Sequence, residues 1–447
     1  MAAPTFLDRA LGGRLWRDRG FLLLWTGQAV SEAGTQVTAL ALPSVAILVL
    51  HAGAFQVGTL AALEFLAFPV LGLIAGVYAD RLKRRPIMIV CDLARLLLIA
   101  CVPVAALLHV LAMNQLYVVA LLVGIANVFF DVSYQSYLPA LIPRTDLVEG
   151  NSKLEVSRSA AQLAGPALAG FLIQAIGAVE SLWVDAASFA ISAASLFGIR
   201  KPEPAPQPGT AAGESGFWRE MWEGIRVVIG NPTLWKIAGC TATSNLGSNM
   251  IWALFLLFAY RTLGLSPSLV GLIFAGGAVG GLLGALSAGA VTRRLGLGLT
   301  LFVTITTGGL AAFLIPLAQL GLAVPLLVIS TAVSFLCTPI YNIGQVSLRQ
   351  AITPDRVQGR MNATMRTVVW GTLPVGAFLG GILGSVIGIL PTMYIGAAVT
   401  TDSLEGGAGA RRLTSAPGAE LKRSVKALPL RHARRSARQA GRVARSG

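Results

Sequence analysis

Charge is scarce in this chain. Asp, Glu, Lys and Arg make up 12% of its 447 residues, against about 25% in soluble domains. Cysteine is nearly absent as well. Cys91, Cys101, Cys240 and Cys337 stand alone, in or at the ends of apolar segments. No CxxC and no Cys/His cluster occurs, which excludes a disulfide framework and a zinc site. The three histidines, His51, His109 and His432, are scattered. There is no P-loop, no HExxH and no GxSxG, so neither ATP hydrolysis nor the commoner hydrolase chemistries are expected. The reading is of a protein that is not an enzyme and needs no metal or cofactor. No cleavable leader is expected, because residues 1–20 are polar and basic and the apolar run that follows is too long.

What is abundant is apolar sequence: 55% of residues, with 50 Gly and a mean hydropathy of +0.71. That predicts an all-α polytopic membrane protein. The net charge of +15 does not point to nucleic acid. Residues 400–447 hold 11 Lys/Arg against 3 Asp/Glu, so more than half of the excess lies there. A spanning helix needs about 20 apolar residues. Spans are expected near 21–50, 54–79, 86–108, 114–138, 154–176, 180–199, 234–260, 267–291, 297–319, 322–347 and 364–389. The next apolar run, Leu390 to Val399, is about half the required length. A truncated twelfth helix is therefore expected, followed by a basic, disordered tail over 400–447. Loss of a native final helix through a reading-frame change is one reading of that tail. A genuine basic tail on anionic lipid headgroups is the other.

Lys and Arg collect in alternate loops: Arg9 to Arg19, Arg81 to Arg85, Arg144 and Lys153, Arg200 to Arg226, Arg293–Arg294, and Arg349 to Arg360. The other loops hold essentially only Arg261. This asymmetry places the N-terminus in the cytoplasm. Residues 200–216 form a Pro/Gly/Ala linker. Phe217–Gly230 then reads as a short amphipathic helix, either at the membrane interface or packed on the bundle. The domains expected are 1–199, a six-helix half; 200–232, a cytoplasmic linker; 233–399, five full helices and a partial twelfth; and the tail. The two halves repeat. A shift of 211 residues lays Pro143 on Pro354, Asn151 on Asn362, Gly165 on Gly376, Leu168 on Leu379, Gly170 on Gly381 and Gly177 on Gly388.

The turn Gly76–Pro86, GVYADRLKRRP, resembles the loop between helices 2 and 3 of the major facilitator superfamily, G-x-x-x-D-R-x-G-R-R. Gly76, Asp80, Arg81, Arg84 and Arg85 match, and Lys83 stands where that family usually has glycine. Residues 126–177 are similar to the drug-efflux branch that includes macrolide and enterobactin exporters. The LPALIP turn, EGNSKLE and the Gly165–Pro166 pair with Gly170 carry that likeness, with VDAASF and Asp92–Arg95 beside it. It extends from about Trp16 to Ile395. The resemblance implies a major facilitator fold of two six-helix halves in a bacterial inner membrane, a monomer exporting a small molecule by alternating access. It also implies an antiporter-like kink at Gly165, Pro166 and Gly170.

Carboxylates inside spans are costly and mark pathways or partners. Glu32 and Glu64 fall near mid-bilayer on helices joined by a short loop. They are expected to approach each other and to carry the coupling proton, against the plainer reading that each only accepts hydrogen bonds. Asp92 and Arg95 are i,i+3 partners. With Asp80, Arg81, Asp131 and Arg158 they are expected to form a cytoplasmic-side network that holds one transport state. Asp185 stands open between a structural and a functional role. The expected partners are a small-molecule substrate, protons and the bilayer. The alternatives are a dedicated exporter of one secondary metabolite or siderophore, and a non-transporting or inactivated membrane protein.

Overall fold

The computed structural model describes residues 14–203, 222–223 and 225–402, leaving aside the side chains of 14, 73–74, 76–81, 355–356, 359 and 402. Within them the chain is helical and has no strand. The helices are α1 (Arg19–Ser44), α2 (Ala54–Arg81), α3 (Arg84–Leu107), α4 (Met113–Leu141), α5 (Leu147–Ile176) and α6 (Ala178–Gly198). After the linker come α7 (Pro232–Leu257), α8 (Pro267–Leu295), α9 (Leu297–Ala312), α10 (Ala323–Ile352), α11 (Asp355–Val386) and α12 (Ile389–Asp402). Eleven of them are long and apolar enough to cross a membrane. α12 is helical as far as it is described, but its 14 residues rise only about 21 Å at 1.5 Å each. α5 starts seven residues earlier than the apolar pattern indicates, and α11 nine earlier. Polar first turns outside the apolar zone carry no hydropathy signal, yet helix continues through them.

Local chemistry sets the ends. Asp18 accepts from the Phe21 amide at 2.9 Å and caps α1. Asn231 caps α7 ahead of Pro232, and Ser266 caps α8 ahead of Pro267. Glu203 crosses from the end of the first half to the N-terminus of α3. It accepts from the amides of Arg84 (2.8 Å) and Arg85 (3.2 Å), where the helix dipole favours an anion. Arg85 donates in turn to the carbonyls of Leu196 and Phe197 at the C-terminus of α6. The short turns α5–α6 and α11–α12 each pivot on a glycine in a conformation that side chains resist, Gly177 at φ +98° and Gly388 at φ +93°. Those two are repeat equivalents.

Helix packing divides the bundle into two sets. α1 packs on α5 and α6, α3 on α4 and α6, and α2 on α4. In the second set α7 packs on α11 and α12, α8 on α10, and α9 on α10. Two main contacts join the sets: α2 with α11, and α5 with α8. Both use glycine, so that backbones touch. A Cβ on Gly58 would strike Gly381, and one on Gly170 would strike Pro267 and Gly271. α1 and α7 each end in a π-helical turn, Val45–Val49 and Phe258–Thr262. These turns meet between the halves. Ser44 and Tyr260 hydroxyls lie 3.0 Å apart, and Arg261 donates to the Ile47 carbonyl at 3.2 Å. All of these junctions lie at the end opposite the Lys/Arg-rich loops, which we call the outer end; the other is the basic end.

α12 is integral to the second half. Met393 and Ala397 are fully buried. Gly396 and Thr400 lie against Gly247 of α7, and Thr401 lies against Gly309 of α9. Of the expected amphipathic segment, residues 222–223 and 225–230 are described and are helical. Val228 is buried among Leu234, Ala238, Met361 and Met365, and Glu223 pairs with Arg360 at 2.6 Å. This part packs on the bundle, although Trp222 and Ile229 remain exposed. The tail from 403 lies outside the described residues.

Candidate functional site

A cavity of about 1030 Å³ lies between the halves. Its first-half wall is Gln36 of α1 and Glu155 to Pro166 of α5. α7, α8, α9 and α10 supply most of the rest, and Thr400 of α12 closes one side. The α5–α8 pair shows which way it opens. At the outer end Pro166 and Gly170 touch Pro267 and Gly271. Toward the basic end the same helices part, and Glu155, Ser159, Gly281 and Ala285 face the cavity instead. Of the residues of the expected kink, Pro166 and Gly170 lie where α5 meets the other half. Gly165 itself packs on Gln36 of α1. The sequence singled out these residues but not the helix they pack on.

One stripe of the wall escaped the sequence reading. Thr241, Ser244, Asn245, Ser248, Asn249 and Trp252 of α7 all face the cavity. Each lies three or four residues from another member of the set, the spacing of a single helix face. A polar stripe in an otherwise apolar span was the available signal. The Asn245 amide nitrogen donates to the Val369 carbonyl at 3.2 Å, and that of Asn249 to the Asn245 carbonyl at 2.9 Å. Their carbonyl oxygens accept no hydrogen bond among the described residues and remain available as acceptors. Beyond the stripe, Trp252 gathers Phe255, Phe274 and Phe335 at centroid distances of 5.1, 5.8 and 5.7 Å.

The charged residues of the first half form a belt below this cavity. Glu32 lies 13 residues into α1, about 20 Å from the basic end. The charges that act on it are Arg158 first, then Asp131, Arg95 and Glu155. Asp131 is acted on by Arg95, Arg158 and Arg366. Arg366, on α11, is the belt's contribution from the second half. Its guanidinium lies 4.3 Å from the Phe68 ring and 4.9 Å from the Trp370 ring, a placement that suits a cation at a protein interface. Sequence reasoning passed over Arg366, which was hidden in an eleventh span whose net pattern is apolar.

Glu64 does not join the belt. Its side chain is exposed, like those of Phe65 and Leu66 that follow it, and its backbone carbonyl lies against Gly124 of α4. Its carboxylate has no ion pair or hydrogen bond among the described residues, and no charged group acts on it. The expected meeting of Glu32 and Glu64 does not occur, because α1 and α2 diverge after their short loop and hardly touch.

The expected network around the 80–85 turn also separates into parts. Asp92 and Arg95 form a buried pair. Asp92 accepts from Ser192 at 2.7 Å, and Arg95 donates to Asn127 at 3.0 Å. The guanidinium sits between the rings of Phe130 (4.1 Å) and Phe189 (4.4 Å). Every contact lies within the first half and none reaches Arg158. Arg84 and Arg85 are spent on Glu203 and on the end of α6. Gly76 and the Asp80 and Arg81 side chains lie outside the described residues. Asp185 of α6 is 1% exposed and accepts from Ser188 at 2.9 Å. Its second oxygen and the neighbouring Thr38 hydroxyl of α1 both lack a partner of normal geometry. No group of three or more potential metal ligands occurs among the described residues.

These features have counterparts among known proteins. Residues 15–405 match the family model described as transmembrane secretion effector. The multidrug efflux pump Tap of Mycolicibacterium fortuitum is 28% identical over 388 residues, 84% of this chain and 91% of its own. Macrolide efflux protein A of Streptococcus pyogenes is 25% identical over 377 residues, 83% and 90% of the two chains. A bacterial homologue of the iron transporter ferroportin in an inward-facing state superposes with a TM-score of 0.69 at 18% identity. It covers 89% of this chain and 100% of its own. Its outward-facing form gives 0.56 at 19% identity, over 88% and 99%. Eleven spans, a cleft between helical halves and a family match over nearly the whole described length agree. The chain belongs to the transmembrane secretion effector family, a group of multi-pass transporters in the drug-efflux branch of the major facilitator superfamily.

Proposed function

We propose that this protein exports amphipathic small molecules from the cytoplasm or inner leaflet of a bacterial cell membrane in exchange for protons. The observation that carries this reading is the cavity open to the basic end, with a carboxylate belt beside it. Positive loops favour the cytoplasmic side, so the N-terminus and the open mouth face inward and substrate enters there. The outer end, shut by the glycine contacts, opens in the alternate state. Glu32 is the proton carrier of choice, because α1, α3, α4 and α5 of one half and α11 of the other contribute to its belt. Charge at that depth is tolerated only when it faces a cavity or a partner. Arg366 across from Asp131 gives the belt a link that breaks and forms as the halves rock. The short α12 does not argue for an inactivated carrier, since its packing against α7 and α9 completes the second half. The protein works as a monomer.

The test is uphill transport. Proteoliposomes with an imposed pH gradient and ethidium as cargo should accumulate dye with the wild type. Glu32→Gln should abolish accumulation against the gradient while dye still equilibrates downhill. Glu64→Gln leaves the belt intact and separates the two candidate carriers. Undiminished uphill transport by Glu32→Gln rules that residue out as the proton carrier.

A further inference from the structure

We infer that the substrate is held by the second half, as a ring-bearing amphiphile that presents a row of hydroxyl or N–H donors and needs no net charge. The inference rests on the exporter reading above and names the ligand chemistry of its cavity. Among the described residues lining the cavity, Glu155 alone carries a charge, and it belongs to the first half. The wall supplied by α7 to α10 and α12 is neutral throughout. The carboxylates of the belt and the surface that meets cargo are thus on different halves.

That neutral wall is biased in what it accepts. Asn245 and Asn249 each direct one of their two amide N–H groups to a backbone carbonyl, which also fixes the orientation of both amides. Their oxygens are left to accept. Four residues separate them on one helix face, so the two acceptors stand about 6 Å apart. Ser244 and Ser248 repeat the same step on the same face. Tyr341 is tied to Thr241 at 2.7 Å, and Thr241 donates to the Ile237 carbonyl at 2.8 Å. With that hydroxyl hydrogen directed to Thr241, the phenol leaves the cavity little but lone pairs. A ligand with acceptors only, or a cation without donors, leaves the two amide oxygens and the Tyr341 oxygen without a hydrogen bond, and a buried polar group without a partner is costly. A row of ligand donors at a similar pitch satisfies it.

The outer end of the same wall supplies the apolar contact. Trp252, Phe274 and Phe335 line the cavity as a tilted cluster, backed by the buried Phe255. Such a cluster takes a flat or broad apolar body by edge and face contacts. The polar stripe runs from it toward the basic end. The ligand therefore lies along α7, its rings at the shut outer end and its donors trailing toward the mouth. A structural role for the stripe does not account for it. Asn245 and Thr241 do bond to α11 and α10, but among the described residues Ser244 and Ser248 make no hydrogen bond and the two amide oxygens accept none.

The experiment uses the full chain in lipid nanodiscs and three probes. They are 4-methylumbelliferyl β-glucoside, which is neutral, aromatic and donor-rich; its per-O-methyl derivative; and tetraphenylphosphonium, a ring-bearing cation without donors. The glucoside should bind, and methylation should weaken it at least about tenfold, the effect of about 1.4 kcal/mol in unmet polar groups. Trp252→Ala and Asn249→Ala should weaken it similarly at unchanged thermal stability. Ser248→Ala serves as a milder variant should Asn249→Ala fail to fold. Glu155→Gln should leave its affinity alone. Equal binding of the methylated probe overturns the inference. So does tighter, Glu155-dependent binding of the phosphonium. Dye extrusion by cells carrying the wild type is measured in parallel. No extrusion of ethidium or of either aromatic probe sinks the exporter reading itself. Extrusion that ignores the α7 variants sinks only the assignment of the cargo site.

Discussion

Gly170→Leu and Gly58→Leu will each reach the membrane folded and yet lose transport, by trapping the opposite state. In the present state the outer end is shut by backbone contact. Gly170 meets Pro267 and Gly271, and Gly58 meets Gly381, with no room for a Cβ. A leucine there overpacks the shut outer end at a cost of about 1–3 kcal/mol. In the alternate state the halves part at this end and the same side chain faces open space. The penalty therefore falls on one state only, which moves the equilibrium by about 5–150-fold. Both glycines lie on helices that pack normally on their other sides, so folding within each half is spared. A cysteine at Ile47, fully buried beside Arg261 of the second half, reports the change once the four native cysteines are replaced. It should resist a membrane-impermeant maleimide in the parent and react in either leucine variant. Lost transport with Ile47 still protected would mean that the leucines block transport without opening the outer end.

The same glycines show how much of the molecule can be read in the chain. A shift of 211 residues pairs Gly170 with Gly381, and both close the outer end, on opposite sides of the bundle. It pairs Gly165 with Gly376, which pack on Gln36 of α1 and on Leu246 of α7. It also pairs Gly177 with Gly388, the two hinge glycines. A repeated glycine at a repeated contact is visible in sequence, because the backbone approach it permits tolerates no other side chain. Spans were legible for the same kind of reason: lipid imposes one composition over about 20 residues. The functional groups were legible only as types. Glu32 stood out by its depth, but depth alone paired it with Glu64, when the crossing of α1 and α2 sends the second carboxylate elsewhere. Asp92 and Arg95 were recognised as partners because i,i+3 geometry is local. Their remaining contacts, Asn127 and Ser192, come from other helices and carry no spacing signal. Arg366 and the α7 stripe were missed because hydropathy averaging dissolves a few polar residues in an apolar span. Glu203 was missed because it sits in a Pro-rich segment that reads as a plain linker.

Arg95→Ala will be among the most destabilising single changes in the first half, and removing Asp92 as well will recover most of the loss. Asp92 is fully buried and Arg95 nearly so. Two charges out of water repay their desolvation only while each remains paired and hydrogen-bonded. Arg95→Ala strands the Asp92 carboxylate with Ser192 as its remaining side-chain donor. It also removes a cation from between Phe130 and Phe189 and the hydrogen bond to Asn127. Breaking a buried pair from one side costs about 3–5 kcal/mol. The pair Asp92→Leu with Arg95→Met keeps the volume and buries no charge, so it should return to within about 1–2 kcal/mol of wild type or surpass it. Thermal unfolding of the purified protein in one detergent orders the three variants. The transport assay then decides what the pair is for. Its hydrogen-bond partners lie on α3, α4 and α6 of a single half, so the double variant should still transport uphill, with an altered pH dependence because Arg95 also acts on Glu32 and Asp131. A stable double variant that transports slowly would instead mean that the pair holds one conformational state, as a network reaching the 80–85 turn requires. A double variant as unstable as Arg95→Ala would mean that the fold depends on the polar contacts with Asn127 and Ser192 rather than on avoiding a stranded charge.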